Sequence, residues 1–301
     1  MIIGLIGGTL RDKARETPVV RRGGYDVVET DFHVHSFLGD GMLSPFGLVS
    51  RARHQGLHAF AITDHNRVFA AKAGRWYSRL VGGPTVLVGE EVTAPGFHLI
   101  ALGIDKHVSW RQSAAQVIED IHRQGGVAIA AHPTRRYWAT FDDSIVSQLD
   151  GAEVMHANAF ASNEKAEEIK SFYRRVEEKG RHLTAVGSSD YHWFNSLGIC
   201  RTYVFVRNND EPGILEALRS GRTVVFDRDG NAYGNSELIQ LLQDEPIRRD
   251  VGDYHYRGSG AVDVITRTLG WLGLIGLVLF GRTTRFVSTQ PNRIRSEKLG
   301  T

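Results

Sequence analysis

The feature that most limits how this chain can fold is a regular alternation of short β-rich runs with helical stretches, starting at about residue 26. The runs include "VVETDFHVH", "HAFAITDH" and "VAIAAHP", the last of which begins with five apolar residues in a row. Continuous apolar strands are typical of parallel sheets whose faces are covered by helices. The pattern therefore predicts an α/β fold built on a parallel sheet or barrel.

Two local patterns predict individual elements of this fold. The stretch "SPFGLVSRARHQGL" predicts a helix with Ser44 as its N-cap, Pro45 at the first helical position and Gly56 near its end. The runs "PTVLVGEEVT" and "FHLIALGI" are joined by "APG" and predict the two strands of a hairpin.

The alternation stops near the glycine-rich stretch "DRDGNAYGNSE". We therefore predict a leader over residues 1–25, a catalytic domain over residues 26–226 and a C-terminal extension over residues 227–301. Within the extension, residues 268–281 are uncharged and very apolar. This segment is shorter than the roughly 20 residues that cross a bilayer as a helix. A core or interface helix, a membrane-surface anchor and a short spanning helix all remain open for it.

Composition excludes some partners and favours one compartment. A formal net charge of +2 is too small to predict general binding to nucleic acid or to an acidic membrane surface. The single cysteine, Cys200, cannot form an internal disulfide, which fits a reducing compartment. The N-terminus has no basic residues before its apolar run and is a poor signal peptide. We predict a cytoplasmic protein whose membrane contact, if any, is made through residues 268–281.

Histidines and carboxylates gather at the carboxyl ends of the predicted strands, which is the edge where α/β proteins build their sites. His33 and His35 are two residues apart on one strand, so their side chains share a face. Two polar residues at a strand edge would be the simpler reading of this pair alone. Further polar residues in "TDH", "AAHP" and "SSDYH" make a metal site the better reading, because imidazoles and carboxylates bind zinc, iron and manganese.

Five motifs carry a resemblance to a known family. In order, "DFHVHSFLGDG", "AITDH", "GEEVT", "AAHP" and "GSSDYH" resemble those of the polymerase and histidinol phosphatase (PHP) family of metal-dependent hydrolases, over roughly residues 27–206. The chain is similar to the short stand-alone type of this family. The resemblance implies a distorted (β/α)7 barrel, here with a C-terminal extension, and two or three divalent ions of manganese, iron or zinc.

The resemblance also implies which residues bind each ion, with Glu91 shared between the first and the third. The implied groups are His33, His35, Glu91 and Asp190 for the first ion, Asp40, His65 and His192 for the second, and Glu91, His98 and His132 for the third.

Several assignments stay open at this point. Glu90 is the rival of Glu91, and only one should serve because neighbouring residues on a strand face opposite ways. His156 stands where many relatives carry asparagine, and it could be an extra ligand, a substrate contact or a buried core residue. Asp31 and Asp64 could hold a ligand imidazole in one tautomer, or could simply be solvated.

The resemblance implies hydrolysis of phosphate esters by a metal-bound hydroxide, with Asp40, His65 and His192 as the catalytic group. Arg135 and Arg67 follow ligand motifs and are candidates for substrate binding, because guanidinium groups match phosphate oxygens. The expected substrate is a small phosphorylated metabolite or a nucleotide, and nucleic acid only as a short oligonucleotide. Two alternatives are a carboxylic ester or carbamate hydrolase of the same fold and a non-catalytic metal-binding module.

Overall fold

The structure is a computed structural model. It describes residues 17–138, 141–157, 162–193, 196–227 and 229–242, together with positions 269–270, 272–273, 275–277 and 279. The chain divides into two compact units, one of residues 9–260 and one of residues 1–8 with 261–301. All the strands and helices defined below belong to the first unit.

The described part of the chain forms a single eleven-stranded sheet. Its strands are β1 (Val20–Arg22), β2 (Tyr25–Asp31), β3 (Ala59–Ile62), β4 (Thr85–Ala94), β5 (Phe97–Leu102), β6 (Val127–Ala130), β7 (Gly151–His156), β8 (Thr184–Ser188), β9 (Thr202–Val206), β10 (Thr223–Phe226) and β11 (Ala232–Gly234). The order across the sheet is β11-β10-β9-β2-β3-β4-β5-β6-β7-β8, and β1 pairs with β2.

Helices alternate with these strands along the chain. They are α1 (Pro45–His54), α2 (Phe69–Val81), α3 (Ala114–Arg123), α4 (Arg135–Trp138), α5 (Asp143–Val146), α6 (Asn163–Glu178), α7 (Glu211–Arg219) and α8 (Ser236–Leu242). The predicted N-cap of α1 is confirmed, because the Ser44 side chain accepts a hydrogen bond from the Gly47 amide.

The expected distorted α/β barrel is confirmed. β2, β3 and β4 are parallel neighbours, as are β6, β7 and β8. The predicted hairpin is also confirmed, since β4 pairs antiparallel with β5 and Ala94 lies opposite Phe97. Antiparallel pairs at β5 and at β9–β11 distort the barrel. The hairpin has a consequence for the site, because it returns the start of β5 to the edge where the parallel strands end.

Threonine hydroxyl groups join β8 to β9 and β10, where no backbone ladder forms among the described strands. The Thr202 hydroxyl donates to the Gly187 carbonyl and accepts from the Gly187 amide, both at 2.8 Å. The Thr223 hydroxyl donates to the Ala185 carbonyl at 2.8 Å. A Cβ at Gly187 would lie 2.8 Å from Val225 Cγ1 and 3.0 Å from the Cys200 carbonyl oxygen, so glycine makes this close approach possible without a shift. These contacts satisfy buried peptide groups across the seam of the barrel.

The barrel interior is filled by apolar side chains. Leu87, Ile129 and Val204 belong to one buried cluster. Ile214 and Leu218 of α7 are part of the same cluster. Apolar packing therefore fills the barrel beneath the edge that carries the histidines and carboxylates.

The predicted domain boundaries lie close to elements of the sheet. β1 falls within the predicted leader, and β11 and α8 follow residue 226, so the boundaries at 25 and 226 stay predictions. The predicted apolar segment 268–281 lies only partly within the described residues, and its described positions are helical. Among the residues that the structure describes, no helix is both long and apolar enough to cross a membrane.

Replacing Thr202 with valine tests the seam. Thr202→Val keeps the shape but leaves the buried amide and carbonyl of Gly187 without these partners, which costs roughly 1–3 kcal/mol. We expect the urea midpoint of unfolding to fall accordingly. The matched control is Thr85→Val, at a half-buried threonine whose hydroxyl makes no hydrogen bond among the described residues. Equal midpoints for the two variants would contradict this account of the seam.

Candidate metal centre

All nine residues predicted to bind metal lie together at one edge of the barrel. His33 and His35 follow β2, and His65 follows β3. Glu91 lies in β4 and His98 in β5. The other members of the set are Asp40, His132, Asp190 and His192.

The first predicted group is compact and almost completely buried. His33 Nε2 lies 3.3 Å from Glu91 Oε2 and 3.3 Å from Asp190 Oδ1. His35 Nε2 lies 3.5 Å and 3.1 Å from the same two oxygens. Two imidazoles and two carboxylates therefore point at one small volume. The spacing of His33 and His35 predicted that the two imidazoles share a face, and the resemblance implied the two carboxylates.

The second predicted group lies nearer to solvent. Asp40 Oδ2 is 3.2 Å from His65 Nε2 and 3.3 Å from His192 Nε2. His35 joins this group as well, because its Nδ1 is 3.4 Å from Asp40 Oδ1. His35 therefore lies between the first and second groups, which the sequence did not indicate.

The third predicted group meets the other oxygen of Glu91. His98 Nδ1 lies 2.7 Å and His132 Nε2 3.1 Å from Glu91 Oε1. Glu90 faces away from the site, where its carboxylate accepts from the Val108 amide at 2.5 Å and contacts His107 Nδ1 at 2.8 Å. The alternation of side chains along β4 thus selects Glu91 over Glu90.

His156 reaches the site from the end of β7. Its Nε2 is 3.2 Å from Asp190 Oδ2, and its ring is almost completely buried. Ligand atoms of His33, His132 and His156 lie within 4.8 Å of one another, so these three form a further candidate group. Of the three roles left open for His156, this position favours the extra ligand.

The buried polar atoms of the site fit divalent cations. His33 Nε2, His35 Nε2 and Glu91 Oε2 are buried and have no hydrogen-bond partner among the described residues, although each lies close to the others. An unsatisfied buried polar group costs roughly 1–3 kcal/mol. Imidazole nitrogens and carboxylate oxygens are ligands of zinc, iron and manganese, so bound ions would satisfy these atoms.

The carboxylates and imidazoles strongly perturb one another. Burial alone would lower the pKa of His33, but Asp190, Glu91 and Glu153 outweigh it and raise the pKa well above its usual value. At His65, burial likewise acts to lower the pKa, but neighbouring carboxylates outweigh it and raise the pKa to about 10. Conversely, His33 and other imidazoles hold the pKa of Glu91 well below its usual value despite burial. In the metal-free protein, protons therefore occupy nitrogens that a metal would need.

The backbone is strained at two of the predicted ligands. His132 has a φ of 27° and Asp190 a φ of 45°, both in the left-handed region. Such conformations in residues other than glycine cost about 1–3 kcal/mol and cluster at functional sites. The Glu153 carboxylate holds His132 in place by accepting its amide at 2.5 Å.

Glu153 is the functional candidate that the sequence reading missed. It is completely buried in β7, and its Oε1 lies 3.1 Å from His33 Nδ1. A carboxylate on the far nitrogen of a ligand imidazole orients the ring and keeps the other nitrogen facing the metal. The available signal was a lone charged residue inside the apolar strand "GAEVMH".

Asp31 and Asp64 have neither of the two roles left open for them by the sequence. Asp31 accepts from the amides of Gly198 at 2.7 Å and Ser189 at 3.0 Å. Asp64 accepts from the Ser36 amide at 2.5 Å and the Ser36 hydroxyl at 2.6 Å. Both carboxylates therefore fix the loops that carry ligands, and neither makes a hydrogen bond to an imidazole among the described residues.

A cleft of about 510 Å³ opens over the ligands. Arg135, Arg136 and Lys165 line it, and we call this the cationic cleft. Arg135 is 83% exposed, and its Nε lies 3.8 Å from Glu168 Oε1, which is a weak pairing. Arg67 is not among the lining residues. Its guanidinium donates to the carbonyls of Leu38 at 2.6 Å and His65 at 3.2 Å, and so ties two ligand loops together.

Comparison with solved structures identifies the fold. A two-domain protein from Bacteroides vulgatus, containing a predicted PHP-like metal-dependent phosphoesterase, superposes with a TM-score of 0.61 at 22% identity. The match covers 76% of this chain and 73% of that protein. The chain therefore has the PHP-like fold that its motifs predicted.

Comparison of sequences adds the family, although no family model matches the chain. The uncharacterized protein MJ1587 of Methanocaldococcus jannaschii is 30% identical over 142 residues, which are 43% of this chain and 82% of that protein. The chain belongs to the same family as this archaeal protein. A 5'-3' exoribonuclease of Haemophilus influenzae is 34% identical over 80 residues, but these cover only 25% of this chain and 29% of the exoribonuclease.

Proton competition predicts how metal affinity depends on pH. Because the pKa of His65 is raised to about 10, its ring stays protonated through neutral pH and must lose a proton to bind metal. Affinity for Mn²⁺ should therefore rise with pH, by about tenfold or more per unit between about pH 6 and about pH 8. Calorimetry in two buffers of different ionisation enthalpy would count the protons released, and His65→Gln should release fewer. Affinity that does not change with pH would contradict the raised pKa.

Removing the charge of Glu153 tests its role in orienting His33. Glu153→Gln should weaken metal binding by roughly 10- to 100-fold, which is typical for the carboxylate partner of a ligand histidine. The matched control is Glu168→Gln, which changes a carboxylate at the outer wall of the cleft. Metal titration followed by calorimetry would compare the two, and equal affinities would exclude an orienting role for Glu153.

Proposed function

We propose that this protein is a metal-dependent hydrolase that cleaves phosphate esters. The observation that carries the proposal is the convergence of the nine predicted ligands beneath the cationic cleft. The names of the similar proteins agree with hydrolysis. The activity and substrate proposed for this chain are argued from its own residues.

Positive charge favours a phosphorylated substrate over a neutral ester. Arg135 and Arg136 supply guanidinium groups and Lys165 an ammonium group at the cleft, where Glu168 is the carboxylate beside the proposed ligands Glu91 and Asp190. Guanidinium forks match the oxygens of phosphate and bind them by paired hydrogen bonds. Since Arg135 is exposed and only weakly paired, it is free to turn toward a substrate. Arg67 is the second candidate, with two of its donors already used by carbonyls.

We propose two or three divalent ions of manganese, iron or zinc as cofactors. His33, His35, Glu91 and Asp190 would hold one, Asp40, His65 and His192 a second, and Glu91, His98 and His132 a third. When bound, such ions polarise phosphoryl oxygens and lower the pKa of water toward neutrality.

Different residues of the chain have different roles in the proposed reaction. Asp40, His65 and His192 are the proposed catalytic group, and they are 49%, 32% and 29% exposed. These are the most exposed of the nine predicted ligands, whereas His33 and His35 are completely buried. The deeper groups therefore position the centre, and the outer group meets the reacting atoms.

The cleft limits the size of the substrate. A volume of about 510 Å³ suits a small phosphorylated metabolite, a nucleotide or the end of a short oligonucleotide. The exoribonuclease relative acts on RNA according to its name, which is consistent with the nucleotide reading.

Hydrolysis of aryl esters by metal-stripped and reloaded protein tests the reaction class. With Mn²⁺, Fe²⁺ or Zn²⁺ restored, we expect release of nitrophenol from p-nitrophenyl phosphate or its diester, because the ions and the cleft both favour a phosphoryl group. His33→Ala removes a proposed ligand and should lower the rate by at least the roughly 10- to 100-fold that is typical for loss of a residue that only orients a ligand. His182→Ala, at an exposed histidine away from the site, is the matched control and should leave the rate unchanged.

Other outcomes would change the assignment. Turnover of p-nitrophenyl acetate without turnover of the phosphates would move the function to a carboxylic ester or carbamate hydrolase. Metal binding without hydrolysis of any of these substrates, including nucleotides and short oligonucleotides, would favour a non-catalytic module. If phosphate esters are the substrates, Arg135→Ala should raise KM more than it lowers kcat.

A further inference from the structure

Helix α2 has three of its large apolar side chains on the outside. The residues that it buries are small, namely Ala70, Ala71, Gly74 and Ser78. Phe69, Trp76 and Leu80 are instead 70%, 62% and 67% exposed. A surface helix normally buries its large apolar residues and exposes polar ones. Tyr77 and Val81 follow this rule, since they are partly buried against the core, but Phe69, Trp76 and Leu80 do not. The exposed face of the helix therefore needs an explanation other than folding.

Close packing explains why the small residues face inward. A Cβ at Gly74 would lie 2.5 Å from Ile62 Cδ1 of β3, so the helix rests almost directly on the sheet. Phe46 of α1 extends the exposed surface, since its ring centroid is 4.9 Å from Tyr77 and 6.5 Å from Trp76. We call Phe46, Phe69, Trp76 and Leu80 the aromatic face.

Basic side chains flank the aromatic face. The other fully exposed residues of α2 are Lys72 and Arg79, so every exposed side chain of this helix is apolar or basic. Neither α1 nor α2 contains an aspartate or a glutamate. Lys72 and Arg79 make no ion pair within the part of the chain that the structure describes. Arg75 of the same helix is paired with Glu211 and Asp105. The charge that stays unbalanced beside the aromatic face is therefore that of Lys72 and Arg79.

We propose that the aromatic face docks on the surface of an anionic lipid bilayer. Tryptophan, phenylalanine and leucine enter the boundary between headgroups and acyl chains, and lysine and arginine pair with lipid phosphates. Each basic residue near an anionic bilayer contributes further attraction. The proposal does not depend on the proposed hydrolase activity.

Charge and chemistry favour lipid over two other partners. In a symmetric dimer through this face, Lys72 and Arg79 would meet the same residues of the second copy, and like charges would oppose association. Single-stranded RNA would suit Trp76 and Phe69 by stacking, but it offers no apolar surface to Leu80. A bilayer accommodates all the exposed side chains at once.

The other compact unit carries an independent observation that fits a bilayer. Its described helical positions expose large apolar residues within the uncharged segment 268–281. They are Leu269, Leu272, Ile275, Leu277 and Leu279, each between 49% and 64% exposed. Docking through α2 would hold the metal centre near the lipid surface, because α2 begins shortly after His65.

A fluorophore on the aromatic face reports docking even if residues 268–281 also bind lipid. Cys200 is the single cysteine and is buried, so an environment-sensitive NBD dye attached to full-length Leu80→Cys labels one site. We expect a blue shift with vesicles of phosphatidylcholine and phosphatidylglycerol, and none with phosphatidylcholine alone. Lys106→Cys, at an exposed residue outside α1 and α2, is the matched control and should not shift. Vesicle binding without a shift at position 80 would overturn the proposal.

Charge reversal gives the second measurement. Lys72→Glu with Arg79→Glu should reduce partitioning onto anionic vesicles by about tenfold or more. Lys106→Glu with Arg207→Glu makes the same change in net charge at exposed sites elsewhere and should bind normally. Equal loss in both variants would overturn the proposal. A shift of the dye with protein concentration alone would identify a second copy as the partner, and a shift with oligonucleotide alone would identify RNA; either would overturn lipid docking.

Discussion

The buried carboxylate of Glu91 is the group on which the rest of the site depends. It is 1% exposed, and its two oxygens lie within 3.5 Å of nitrogens from His33, His35, His65, His98 and His132. A charge in this position is stable only with opposite charges around it. Protonated imidazoles meet this need in the metal-free protein, and divalent ions would meet it in the proposed enzyme. The same carboxylate therefore contributes to the raised pKa of His33, His65 and His132 and to the affinity expected for metal. Burial nevertheless keeps the pKa of His98 low.

Holding such a group requires a rigid edge, and other buried carboxylates supply it. Asp31 and Asp64 accept backbone amides of the loops that follow β8 and β2, and Glu153 holds His33 and the His132 amide. These bonds offset the strain at His132 and Asp190, whose left-handed backbones would otherwise relax. Some buried carboxylates thus point into the proposed metal centre, and others hold the loops and imidazoles around it. The groups that each carboxylate contacts distinguish the two roles.

The fold also assigns different tasks to different surfaces. Apolar packing fills the barrel, the polar edge forms the centre, and the cationic cleft faces the solvent above it. Helix α2 packs through small residues and leaves large apolar ones outside, which is unfavourable unless another surface covers them. If a bilayer covers them, the proposed hydrolase would work at a lipid surface, and its substrates would be those available there.

The sequence alone determined the α/β alternation, the hairpin at "APG" and the residues that gather at the edge, because strand ends and two-residue spacing are local properties. It also required that only one of Glu90 and Glu91 serve, since alternation along a strand is local too, and the family resemblance implied Glu91. Only the tertiary structure decided that His35 lies between two groups and that Asp31 and Asp64 brace loops. It likewise showed that Glu153 contacts His33 from behind and that Phe69, Trp76 and Leu80 of α2 face outward. Each of these depends on contacts between residues far apart in the chain, and no local pattern specifies such contacts.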